Sequence, residues 1–102
     1  MATEKEYKDF VLEQLSLLDG IACRAMMGEY LLYRNGTLFG GIYDDRFLIK
    51  KTVGNAKYEM EEQVPYDGAK AMYVVGDLDN KELLKEIVEN TCEGLKKERQ
   101  KR

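Results

Sequence analysis

The sequence predicts an α+β domain of two layers, an antiparallel sheet of about five strands with N-terminal and C-terminal helices packed on it. Three observations carry this. Residues 24–49, RAMMGEYLLYRNGTLFGGIYDDRFLI, read as strands separated by tight turns. Apolar residues before position 19 and after position 79 recur at helical spacing. The resulting order, α-β-β-β-β-(short α)-β-α, lets consecutive strands pair while the helices cover one face.

The first helix follows from Thr3 and Glu6, which have the spacing of a capping box. Tyr7, Phe10, Val11, Leu15 and Leu18 then form a stripe, with Lys8, Asp9 and Glu13 off it. The spacing predicts a helix over about residues 4–18, stopped by Asp19-Gly20. Such a stripe is a core face, with a partner-binding face as the sharper reading.

Ile21 to Met27 form the expected first strand. Arg24 lies in it, either snorkelling to solvent or holding a ligand. Met26 and Met27 are adjacent, so at most one faces the core of a regular strand. Exposed methionine can supply an adaptable contact surface.

Asn35-Gly36 is the sharpest local signal, because a type I′ hairpin needs positive φ at both central residues. Alternation puts Leu31 and Tyr33 on one face and Tyr30 and Leu32 on the other. Both faces are partly apolar, so this strand leaves the core face open. Asp44-Asp45 makes the next turn, leading into Phe47, Leu48 and Ile49. Gly28, Gly40 and Gly41 lie in or beside strands, which calls for a bulge, a bend around a helix, or a groove where another backbone approaches.

Beyond Gly54, Asn55 is placed to cap a short helix through about Glu62 that carries Tyr58. Gln63-Val64-Pro65 is extended, since the residue before proline avoids the helical region. Tyr66-Asp67-Gly68 is a turn, and Ala69 to Val75 is the fifth strand. Asp79 with Glu82, or Asn80 itself, caps the last helix. Leu84, Ile87, Val88, Thr91, Cys92 and Leu95 make its buried stripe.

A chain of 102 residues is a single domain, 1–102, able to bury roughly two-thirds of its unfolded surface. Charged residues are 34% and hydrophobic residues 44%, an ordinary soluble balance. No apolar run approaches the ~20 residues that span a bilayer. The N-terminal ATEKEYKD lacks the apolar core of a signal peptide, which makes the cytoplasm the expected compartment. A net charge of −3 argues against direct nucleic-acid binding. Cys23 and Cys92 are expected to be reduced thiols, with Cys92 inert in its helix stripe.

The sequence contains no histidine, which removes the commonest general base, the usual nucleophile pairs and most zinc sites. Gly40-Gly41 lacks the pattern of a phosphate loop, and Asp44-Asp45 lacks the register of a calcium loop. Glu59, Glu61 and Glu62 read as a solvated acidic face. No catalytic residue, metal or cofactor is expected. The C-terminal KKERQKR suits the negative end of a helix; contact with nucleic acid or an acidic partner is the sharper alternative.

Arg24, Met26, Gly28, Tyr33, Asn35-Gly36, Leu38-Phe39, Ile42 and Asp44, with Phe47, Lys50 and Pro65-Tyr66 more loosely, give the chain a resemblance to the TfoX N-terminal domain family of bacterial proteins. Many members carry Phe-Gly-Gly after the methionine, where this chain reads Met27-Gly28-Glu29. The resemblance covers nearly the whole chain. It implies a secretion-chaperone-like two-layer fold and a link to transcriptional regulation of competence, and it transfers no catalytic residue. The expected function is therefore a non-enzymatic protein-interaction module, an accessory to a transcription regulator. A homodimer is a further expectation, because a sheet edge must be protected. The alternative is a small-ligand binder or minor enzyme with Arg24 gripping an anion and Tyr30, Tyr33 or Tyr43 lining a groove. Arg24, Met27, Tyr30, Tyr33 and Tyr43 are the candidate contact residues.

Overall fold

Three two-residue turns set the architecture. At Met27-Gly28, Asn35-Gly36 and Asp44-Asp45 both central residues have positive φ, the type I′ signature. This turn matches the right-handed twist of paired strands, so each reversal folds the chain back on its neighbour. A computed structural model describes residues 3–100. Its elements are α1 (Lys5–Gln14), β1 (Ile21–Met26), β2 (Glu29–Arg34), β3 (Thr37–Ile42), β4 (Phe47–Ile49), a 3₁₀ turn (Ala56–Tyr58), β5 (Glu62–Gln63), β6 (Met72–Val74) and α2 (Lys81–Gln100). The strands form one antiparallel sheet in the order β1-β2-β3-β4-β6-β5.

The α+β architecture is as expected, with six strands because Glu62–Gln63 pairs with β6. Some boundaries differ. The first strand stops at Met26, and Met27 belongs to the turn with φ 52°. Helix α1 ends at Gln14, yet Leu15 and Leu18 stay buried on tighter turns closed by Ser16 N–H to Glu13 C=O and Leu18 N–H to Leu15 C=O. The last strand is only Met72–Val74.

Both helices share one core. Val11, Leu15 and Leu18 meet Leu84, Ile87 and Val88 over Leu32, Phe39, Ile42, Phe47, Ile49 and Val75. Leu32 therefore points to the helices, and its neighbours Leu31 and Tyr33 point away. A bulge sharpens the curl of the sheet: Leu32 faces Gly40 and Tyr33 faces Leu38, leaving Phe39 as the extra residue, fully buried. A Cβ on Gly41 would press on Tyr30 C=O and the Tyr43 ring, so the glycine pair permits the close packing of the bend.

Thr3 does not cap α1. The N-cap is Glu4, and its N–H donates to the Asp45 carboxylate at 2.9 Å. Thr3 instead donates from its hydroxyl to Glu29 at 2.6 Å, and its own N–H donates to Gly28 C=O. The Glu29 carboxylate also accepts from Asp44 N–H at 3.1 Å. The chain start is thus tied to two hairpin ends at once. Asp45, distant in sequence, supplies one of the two bonds of a capping box, the acceptor for the N-cap N–H that Glu6 would have given.

Asn55 likewise makes no cap bond to the short helix, which is a single 3₁₀ turn. Its fully buried amide accepts from Thr52 N–H at 3.0 Å and donates to Lys50 C=O at 2.8 Å and Thr91 Oγ1 at 2.9 Å. This pins the segment after β4 to α2. Beside it, Gly94 in α2 faces Gly54 so closely that a Cβ would collide with Thr52 Oγ1. Asn80 caps α2, accepting from Leu83 N–H at 3.0 Å. Helix α2 carries Lys96 and Lys97 in its final turns, while Lys101 and Arg102 of the basic run lie outside the described residues.

Candidate functional site

The second face of the sheet lies away from the shared helix core, and only Leu95 and Glu98 near the end of α2 reach the groove on it. Strand alternation and register place Arg24 beside Leu31, Ala22 beside Tyr33, Tyr33 beside Leu38, and Leu48 beside Gly41 on this face. Leu48 is fully buried yet takes no part in the helix-side core. At this end of the sheet a returning segment, residues 64–71, folds over the strands. Arg46 holds it there. Its guanidinium donates to Gln63 Oε1 at 2.8 Å and to the C=O groups of Val64 and Pro65, each at 3.2 Å. The Tyr66 ring lies 6.1 Å from that of Tyr43, tilted by 55°.

Between this segment and the open strands runs a groove of about 800 Å³. Met26, Leu31, Leu38, Tyr43 and Met72 supply apolar and aromatic lining, with Pro65 and Tyr66 from the overlying segment. Lys50, Lys51 and Lys70 bring positive charge, and Glu98 brings one carboxylate, which accepts weakly from Val53 N–H. Lys51 is engaged with Glu62 at 2.8 Å. Burial raises the Tyr43 phenol above its ordinary value, with Tyr66, Glu29 and Tyr33 adding to the shift. The hydroxyl is therefore a neutral donor at physiological pH.

Of the candidate contact residues, Arg24, Tyr33 and Tyr43 share this second face, and Tyr43 lines the groove. Tyr30 is on the opposite face, packed against the helix-side core with Lys8 Nζ 5.3 Å from its ring centre. Met27 is at the hairpin tip, 97% exposed. The groove lining from the β5–β6 segment, Pro65, Tyr66 and Lys70, was not among the expected residues. Only the tertiary fold brings it over the meander. Lys50, the residue after β4, had a readable signal, since continued alternation puts it on the face of Leu48 and opposite Ile49.

A second, polar cleft of about 490 Å³ lies between the Asn35-Gly36 turn and α2, lined by Arg34, Thr37, Glu89, Cys92 and Lys96 among others. Arg34 is committed to the fold: its Nε donates to Asp19 C=O at 3.2 Å, and its guanidinium is 3.9 Å from Glu89. Burial raises the thiols of Cys23 and Cys92, which disfavours the reactive thiolate. Among the described residues no helix is long and apolar enough to cross a membrane, and no group of three or more His, Cys, Asp or Glu side chains is gathered as a metal site.

No known protein-family profile matches the chain. Over 80 residues it is 32% identical to the "Uncharacterized 12.7 kDa protein in trpE 5'region" of Spirochaeta aurantia. The alignment spans 76% of this chain and 70% of that relative. The chain belongs to the same family as this Spirochaeta aurantia protein.

Proposed function

We propose that the protein is a non-enzymatic interaction module that holds a segment of another protein on the second face of its sheet. The observation that carries this reading is the groove itself, where Met26, Leu31, Leu38 and Met72 meet Tyr43 and Tyr66, bordered by a helix only at Leu95 and Glu98 of α2. Large apolar side chains left in one open concavity mark a binding surface more often than an idle one. The likeness of the meander to TfoX N-terminal domains supports a role as an accessory to a transcription regulator. A photo-crosslinking side chain at Leu38 or Met26, compared with one at Lys85 on the outer side of α2, tests the reading in bacterial cells. The groove positions are expected to yield a discrete adduct with a regulatory protein. Equal adducts from Lys85, or none from the groove, would refute it.

A second reading is a small anionic ligand held by Arg24 and the tyrosines. The groove volume favours it, since ligand sites commonly enclose about 300–1,000 Å³. Thermal-shift screening with nucleotides, sugars and phosphates decides this, because a ligand at a hundred times its Kd adds about 2.7 kcal/mol. Association through β1, a six-residue edge strand, is a further proposal. A monomer in concentrated sedimentation runs would remove it.

A further inference from the structure

The open face concentrates positive charge on a chain whose net charge is −3. Lys50 and Lys70 line the groove, and Arg24 stands on the adjacent edge strand of the same face. Among the described residues none of these three forms an ion pair, whereas neighbouring Lys51 is matched to Glu62. The groove is a low-dielectric concavity, which strengthens the field of the cations around it. Unmatched cations beside exposed apolar side chains form a composite surface that water satisfies only at the charges.

We infer that the groove takes an acidic segment of the partner protein, with carboxylates meeting Arg24, Lys50 and Lys70 and an aliphatic or aromatic side chain entering between Leu31 and Leu38. This rests on the interaction reading above and adds the chemistry of the partner. Charge complementarity selects the sign, and the apolar lining selects a peptide over a bare anion. A nucleic acid fits less well. Its long line of phosphates needs many cations to neutralise it, on a chain whose net charge is −3.

The test is fluorescence anisotropy of the full chain with labelled short peptides that alternate Glu with Leu and Phe. Companion peptides carry Ser or Lys in place of Glu, and a single-stranded oligothymidylate serves as the rival polyanion. The acidic peptide is expected to bind at least about tenfold more tightly than the Ser peptide at low salt and to weaken as salt rises. Lys50→Glu with Lys70→Glu should cost a further tenfold or so, while Lys85→Glu should leave binding unchanged. Circular dichroism establishes that each variant is folded. Equal binding of the Ser or Lys peptide would overturn the acidic assignment while leaving the interaction module standing. Tighter binding of the oligothymidylate, with the same sensitivity to charge reversal, would overturn it in favour of nucleic acid. Absence of acidic-peptide binding up to about 1 mM would also overturn it, whereas crosslinking from Leu38 judges the broader reading independently.

Discussion

Replacing Asn55 with alanine should be among the most damaging single changes in this chain. The amide is fully buried and makes three hydrogen bonds, to Thr52 N–H, Lys50 C=O and Thr91 Oγ1. Truncation leaves the Thr52 N–H without its acceptor, at a cost of about 1–3 kcal/mol for an orphaned buried donor. The two donated bonds contribute about 1 kcal/mol each. Thr91 keeps its own donation to Ile87 C=O at 2.7 Å, so it loses an acceptor interaction only. The sum is about 3–5 kcal/mol, against a total of about 5–15 kcal/mol for a domain. Equilibrium urea unfolding followed by far-ultraviolet circular dichroism should show the midpoint falling by at least about 1 M with an unchanged slope. Thr91→Val, which keeps volume but removes the hydroxyl, should cost less, and the double variant should lose less than the two singles combined. A loss below about 1 kcal/mol for Asn55→Ala would show that the amide does not fasten this segment to α2.

Gly94→Ala should lower the melting temperature. Alanine gains about 1 kcal/mol of helix propensity over glycine, but the new Cβ would strike Thr52 Oγ1 and come 2.9 Å from Gly54 N, an overpacking cost of about 1–3 kcal/mol. Calorimetry showing a higher melting temperature would contradict the close approach. Met27→Asn should stabilise the chain by about 0.5–1 kcal/mol, since Asn tolerates the left-handed backbone that Met adopts here at φ 52°; chemical denaturation reads the sign. Burial raises the phenols of Tyr7, Tyr43 and Tyr58 above their ordinary value of 10.0. The unfolded chain therefore gives up these protons first. The stabilisation is full below about pH 10 and is lost as pH rises through the higher folded values. Absorbance at 295 nm should show tyrosines ionising late in the folded protein and together in urea.

The sequence announced the meander and the second helix well, for local reasons. Asn35-Gly36 carries its turn chemistry in two letters, and the α2 stripe recurs cleanly from Leu84 to Leu95. The Met27-Gly28 turn was hidden, because methionine is a poor turn residue and reads as strand. Thr3 and Asn55 looked like helix caps because cap chemistry and loop fastening use the same side chains. Their partners, Glu29 and Thr91, are 26 and 36 residues away, beyond any local pattern. The candidate site was partly visible for the same reason. Arg24 and Tyr33 are brought together by adjacent strands, and Tyr43 comes from the next one. Tyr66 and Lys70 reach the groove only through the Arg46 clasp on the returning segment.

The consecutive hairpins have a consequence for biosynthesis. Everything needed to zip β1 through β4 has left the ribosome once Ile49 emerges, and each reversal closes over only two residues. The ribbon can therefore form during translation, while the long helix that shields its greasy underside is still unmade. For that interval Leu32, Phe39, Ile42, Phe47 and Ile49 have only the short α1 for cover. A nascent chain stalled before residue 81 should thus be an avid client for trigger-type chaperones, and release of α2 should end that dependence.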